Sequence, residues 1–326
     1  MLTVVMYHYV RDLPATRYPR IKGLATADFE GQLDYIADHY TVCDVNDVVR
    51  AARGRAGLAE DACLLTFDDG FIDHFVTVFP RLKERGLTAS FYPTAKPVVE
   101  HKVLDVHKIH FILASAEDPE TLLDEVRGLL EKERKVHEIP GDDELFSVYA
   151  TESRYDSVEV AFLKRLLQCG EPECVRSKIV DILFARHVSG NETSFAKELY
   201  MDLSQLRCMA RQGMTIGGHG YDHRWLDRLQ PEEQEEEIRR TVEFLSEVYD
   251  RSPSDWVMCY PYGGYNGSTL ELLREFGCAL GLTTKVGLVS DLSQVLEYNR
   301  LDTNDLPFRA ETEAVGRTAE ADLISP

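Results

Sequence analysis

The feature that most constrains this chain is its alternation of short apolar runs with amphipathic helical text at both ends, around a middle that carries almost no strand signal. Residues 2–7, "LTVVMY", read as a buried strand. A polar, proline-containing loop follows from Arg11 to Lys22. Then "TADFEGQLDYIADH" repeats Phe29, Leu33 and Ile36 at helical spacing, with Thr26 as the expected cap. "YTVCDV", "ACLLTF" and "TASFYPT" read as further strands, separated by the helical "VNDVVRAAR" and "VFPRLKERG". Strand and helix in alternation predict an α/β fold, a parallel sheet or barrel wrapped by helices, because parallel neighbours need a long crossover and a helix supplies it.

After Pro97 the text turns helical and charged, through "PETLLDEVRGLLEKERKVHE" and "SVEVAFLKRLLQCGEPECVRSKIVDILFARHV". Strands return at "MTIGGHG", "WVMCYP" and "CALGLTT", with "PEEQEEEIRRTVEFLSEVY" and "GSTLELLREFG" as helices between them. The organisation expected is a discontinuous α/β domain from residues 1–96 and 200–310, a helical insertion or lid over 97–199, and an acidic tail over 311–326. A length of 326 residues exceeds the usual single core and suits that division.

Charge narrows the partners. Asp and Glu number 56 against 36 Lys and Arg, a formal net charge of −20, so a nucleic-acid backbone or an anionic membrane surface is a poor match. The seven cysteines form no CxxC pair and read as reduced thiols. No apolar run reaches bilayer length, and the N-terminal strand has neither a basic leader nor a small-residue cleavage site, so the expectation is a cytoplasmic protein.

In parallel α/β folds the working groups sit past the C-terminal ends of strands, and three strand ends here finish in unusual polar text. The first is "TFDDG", where Asp68 and Asp69 lie side by side before Gly70. Adjacent carboxylates repel each other unless a cation relieves one and leaves the other ionised as a base. The second is "GGHGYDHRWL", in which His219 and His223 are spaced to bring two imidazoles to one ion, or are ordinary surface histidines. Two preceding glycines would let the backbone approach a bound group. One Asp and two His make a three-ligand site with open positions, the arrangement of a hydrolytic metal. The third is "CYPYGGYN", an irregular loop with exposed amides suited to a developing oxyanion. Its Tyr260, Tyr262 and Tyr265 read either as a sugar-stacking wall or as surface aromatics.

Together the three motifs resemble the polysaccharide deacetylase family, the NodB-homology carbohydrate esterases, over about residues 1–96 and 200–305. The resemblance implies a distorted (β/α) barrel of the NodB type, and it leaves the large helical insertion read from the middle of the chain unaccounted for. It implies Asp68 as the base, Asp69, His219 and His223 as metal ligands, and Pro261, Tyr262 and Gly263 as the loop whose Tyr amide helps form an oxyanion hole. The chain departs from the family pattern at Gly220, where Ser or Thr is usual, and at Val257 and Cys259, where an Arg shortly before Pro-Tyr is usual. No histidine follows His223, so the family's late histidine acid is missing.

Two replacements stand in the text. His8 ends the first strand and would face the same mouth as Asp68, either as the proton donor or as a packed histidine. "YNRLDTND" offers Arg300 and Asp302; the arginine either orients the base or forms a surface ion pair. Tyr260, Pro261, Gly263, Arg300 and Asp302 make up the expected substrate-binding group. Asp73 and His74 read as cap and packing residues, His107 and His110 as one face of a helix, and "PEEQEEEIRR" as a solvated helix start.

The expected function is that of a metal-dependent amidohydrolase removing an acyl group, acetyl by default, from an N-acyl amino sugar or glycan precursor. Zinc is the default ion, with cobalt, nickel or iron compatible with the ligands. The alternatives are a catalytically silent carbohydrate-binding protein and a hydrolase of another carbon–nitrogen bond, such as a formamide or cyclic amide.

Overall fold

The computed structural model describes residues 1–150, 157–170 and 172–309; the expected acidic tail lies outside the described residues. The chain divides into two compact units. The first comprises Met1–Asp12, Gly23–Glu100 and the described chain from Lys197 onward; the second comprises Leu13–Lys22 and His101–Ala196. The loop of residues 13–22, read from sequence as part of the α/β portion, thus groups with the helical unit.

The first unit is built on eight strands: β1 Leu2–Tyr7, β2 Thr41–Val42, β3 Ala62–Asp69, β4 Ser90–Pro93, β5 Thr215–Ile216, β6 Trp256–Cys259, β7 Cys278–Val286 and β8 Tyr298–Asp302. Their order is β5-β4-β3-β1-β8-β7-β6, with β2 beside β3, and every pairing is parallel. Just past β5, Gly218 bridges to Met258 of β6, its N–H donating to Val257 O (2.9 Å) while its carbonyl accepts from Cys259 N (2.9 Å). That bridge closes the open sheet into a distorted barrel.

Alternation along each strand sorts side chains between two apolar layers. Val5, Tyr7, Leu65, Phe67, Phe91 and Met258 pack outward beneath the helices. Leu2, Val4, Leu64, Tyr92, Val257, Leu280 and Tyr298 fill the interior. By the same parity Thr66, Asp68, Cys259 and Arg300 also point inward, so the interior changes from apolar to polar on approaching the C-terminal ends of the strands. The two glycines after β5 serve packing rather than ligand approach. A Cβ at Gly217 would lie 2.5 Å from the Tyr92 ring, and one at Gly218 2.4 Å from Thr241.

Helix Thr26–His39 begins as expected, but its N-cap is Ala25 and no side chain caps it. After β3 the chain makes a π-helical turn over His74–Val78 before the α-helix Phe79–Glu84. The helix Pro231–Tyr249 buries Gln234, Glu237, Ile238 and Thr241 at helical spacing, so its charged start is not solvated all round.

The second unit packs helices that include Asp105–Ser115, Pro119–Glu133, Asp142–Tyr149, Val158–Cys169 and Glu173–His187. Tyr18 ties the 13–22 segment into it, edge-on to Phe111 at 4.9 Å and bonded through its hydroxyl to Val188 O (3.3 Å). His107 and His110 lie on one helix with rings 5.8 Å apart. Among the described residues no helix is long and apolar enough to cross a membrane.

Candidate active site

Strand β3 ends in Asp68 and Asp69, and both carboxylates lie within reach of His219. Asp68 keeps the strand's inward parity, while Asp69 turns into the left-handed region at φ 73°, a conformation costly for a side chain with a Cβ and favoured here by a tight exit from the strand. Gly70 follows at φ 72°, where a Cβ would meet Pro93 at 2.6 Å. The sharp turn therefore needs glycine at its second position.

Asp69 Oδ1 faces two imidazoles. It lies 3.4 Å from His219 Nε2 and 3.4 Å from His223 Nε2, and the two nitrogens are 3.1 Å apart. All three residues are buried. His219 Nδ1–H donates to the Cys259 carbonyl (2.8 Å); a carbonyl only accepts, so this bond fixes the tautomer and turns the Nε2 lone pair to the triangle. Burial opposes protonation of His219, yet Cys259, Asp69 and Asp68 around it more than reverse that and raise its pKa well above the ordinary histidine value. The two carboxylates, Asp69 and Asp68, also favour a cation. A tetrahedral ion with bonds of about 2.0–2.1 Å holds its ligands about 3.3 Å apart, and the three edges of this triangle fit that spacing.

Asp68 sits beside the triangle in a different environment. Arg300 Nη1 donates to its Oδ1 (3.0 Å) and Arg300 Nη2 lies 2.8 Å from its Oδ2, with the two side chains 0% and 2% exposed. The guanidinium is otherwise spent on Thr283 O, Thr66 Oγ1 and Cys259 Sγ. Burial alone would raise the Asp68 pKa, but Arg300, then His219 and His8, hold it down to about 2. The result is a buried carboxylate that stays charged. His8, directly after β1, brings Nε2 to 3.9 Å from Asp68 Oδ2 and is the open member of the group, with a side chain 40% exposed.

The Pro261–Gly263 turn follows β6. Gly263 N donates to Tyr260 O and Gly264 N to Pro261 O, while Tyr262 takes φ 56°. Its ring stacks flat on Trp225 (4.2 Å, 5°) and edge-on against His223 (4.5 Å), so it braces a triangle residue.

Asp68, Asp69, His219, His223, His8, Arg300 and the Pro261–Gly263 turn are thus brought together, whereas Tyr260 and Asp302 of the expected substrate-binding group are engaged elsewhere. Tyr260 is fully buried with its hydroxyl on Leu296 O (2.8 Å), and cannot offer its ring as a wall. Pro261 is buried, and Gly263 is pressed against Thr284. Arg300 has no exposed side-chain surface and faces Asp68 instead of the mouth. Asp302 caps the turn Thr303–Asp305, accepting from Asn304 N (2.9 Å). Asp73 pairs with Arg11 (2.7 Å). His74 is buried among Phe67, Phe71 and Phe91 with Nε2–H donating to His8 O (2.9 Å). Sequence reasoning missed Glu237, whose carboxylate accepts the Tyr221 and Asp222 amides between the two histidines. The only textual signal was its place on the buried stripe of its helix.

Residues 170–281, which include both histidines and the Pro261–Gly263 turn, match the family model described as polysaccharide deacetylase. A curated relative, YxkH of Bacillus subtilis (strain 168), is 28% identical over 97 residues, 30% of this chain, and the match spans only about a third (34%) of that protein's length. Among solved structures, the deacetylase PplD of Streptococcus pyogenes superposes with a TM-score of 0.54 at 17% identity, covering 92% of this chain and 91% of that one. IcaB from Ammonifex degensii gives 0.54 at 20% identity, covering 92% and 90%. The resemblance to polysaccharide deacetylases is shown by the sequence match, and the barrel is the distorted (β/α) fold of these structures.

Proposed function

We propose that this chain is a metal-dependent amidohydrolase that removes an acyl group, acetyl by default, from an amino sugar or glycan precursor. The observation that carries the reading is the buried Asp69–His219–His223 triangle at tetrahedral spacing beside a second carboxylate held ionised. The family match and the deacetylase names of the structural relatives support the substrate class.

Asp69, His219 and His223 would hold the ion, zinc by default, which when bound supplies Lewis acidity toward the acyl oxygen and the attacking water. Asp68, kept charged by Arg300, takes a proton from the water as its oxygen adds to the acyl carbon. The Tyr262 amide donates to the oxygen of that carbon as negative charge develops. As the carbon–nitrogen bond breaks, His8 gives a proton to the leaving nitrogen, and the products are a free amine and a carboxylate. Two of the departures from the family pattern have candidate replacements near Asp68. Arg300, from β8, does the orienting expected of an Arg before Pro-Tyr, and His8, from β1, takes the place of a late histidine.

The test is acetate release from N-acetylated glucosamine oligomers by wild type and Asp68→Asn, with metal content measured on the same samples. The reading expects the variant to keep its metal and lose turnover. Undiminished turnover in the variant would contradict it.

A further inference from the structure

The stretch "PEEQEEEIRR" carries one carboxylate unlike its neighbours. Glu237 is 7% exposed, on the buried stripe of helix Pro231–Tyr249. Its Oε2 accepts two consecutive main-chain amides, Tyr221 N at 2.9 Å and Asp222 N at 3.0 Å. Those amides lie between His219 and His223, in a loop that passes through φ 72° at Gly220 and φ 54° at His223. The loop is gripped from its other side as well. Ala95 N donates to Gly220 O (3.3 Å), Lys96 N to Tyr221 O (2.9 Å), and Lys96 Nζ pairs with Asp222 Oδ2 (2.5 Å). The carbonyls are thus tied to helix Ala95–Glu100 and the amides to Glu237.

A four-residue loop with two left-handed residues does not hold that shape by propensity; it relaxes unless its polar groups are fixed. Convergence of two imidazole nitrogens to 3.1 Å, against mutual repulsion when both are protonated, depends on that shape. The acceptor is a single oxygen serving both amides, so the chemistry asked of Glu237 is that of a hydrogen-bond acceptor at one point, which a glutamine carbonyl can also supply.

We propose that Glu237 is a positioning residue for the metal site: by accepting the Tyr221 and Asp222 amides it sets the spacing of His219 and His223, and with it the affinity for the ion. This rests on the metal-dependent reading above. It goes beyond it by assigning a role to a residue outside the three ligands and the base.

The experiment strips the full-length protein of metal and measures Zn2+ affinity by competition with a chelating dye, for wild type, Glu237→Leu and Glu237→Gln. Partners that orient ligands usually change affinity by about 10–100-fold, and a loss in that range is expected for Glu237→Leu, with Glu237→Gln close to wild type. Equal affinity in Glu237→Leu and wild type overturns the inference while leaving the metal reading intact. A wild type that binds no zinc overturns both. Amide hydrogen exchange on zinc-free wild type supplies an arm independent of how the variants fold. Tyr221 and Asp222 amides are expected to be protected, and free exchange at both positions counts against the role.

Discussion

Arg300 on β8 and Asp68 on β3 meet across β1, the strand that separates them, through two parallel contacts of 3.0 Å and 2.8 Å inside the barrel. Bidentate pairing of this kind fixes direction as well as charge. It also sets a stability cost, because removing one partner of a buried pair leaves the other charge uncompensated.

Arg300→Met is therefore expected to destabilise the fold by about 3–5 kcal/mol. The double variant Asp68→Asn/Arg300→Met removes both charges and is expected to recover much of that loss. Denaturant unfolding of the two variants beside wild type decides the matter. Additive losses would show that the two side chains act independently.

His74 governs a pH window. Burial is the main cause that lowers its pKa, to about 4 from an ordinary 6.5, with the His8 carbonyl pulling the other way. Between those values the unfolded chain binds a proton that the folded chain does not, so stability present above 6.5 is lost as pH falls, and the loss is complete below about 4. A shift of this size corresponds to about 3 kcal/mol. His74→Gln, which still offers a donor to His8 O, is expected to flatten the unfolding free energy between pH 6.5 and 4 relative to wild type. Parallel curves for the two proteins would remove His74 as the cause.

His8 contacts Asp68 and takes no part in the triangle, so the proposed mechanism separates its effects cleanly. His8→Ala is expected to lower kcat by about 10²–10⁴-fold, the usual contribution of a general acid, with unchanged metal content. An unaltered kcat would assign proton delivery to another group.

Gly263 tests the Tyr262 turn. It has φ 71°, and a Cβ there would lie 2.1 Å from Thr284 Oγ1. Gly263→Ala is expected to destabilise by about 1–3 kcal/mol and to reduce kcat by shifting the Tyr262 amide. Gly263→Ala/Thr284→Ala removes the clash but not the strained φ, so partial recovery is the expected result. No recovery would assign the whole effect to backbone strain.

The strand ends were legible because their text is odd for its place: paired carboxylates after "LLTF", spaced histidines after a glycine pair, a proline–glycine turn after "WVMC". Strand β8 was not, because "YNRLD" has the wrong look for a strand. Beside Tyr298 it turns Arg300 inward, and only the partner on β3 makes an inward arginine tolerable. Tyr260 was misplaced for the converse reason: an aromatic in a loop motif reads as exposed until the strand beneath shows that its parity turns it into the outer core. Glu237 was hidden by its neighbours, since a run of glutamates reads as solvated even where one of them falls on the apolar stripe of its helix. Strand β5, two residues long, was visible through its sequel rather than its own pattern.

If Asp69, His219 and His223 hold a metal ion, elemental analysis of wild type and His223→Ala purified side by side will show it as metal content per chain. A single equivalent is expected in wild type and its loss in the variant, with added Zn2+ raising the Tm of stripped wild type alone, as binding to the folded state requires. Absence of metal from both proteins after incubation with zinc or cobalt, with no change in Tm, would contradict it.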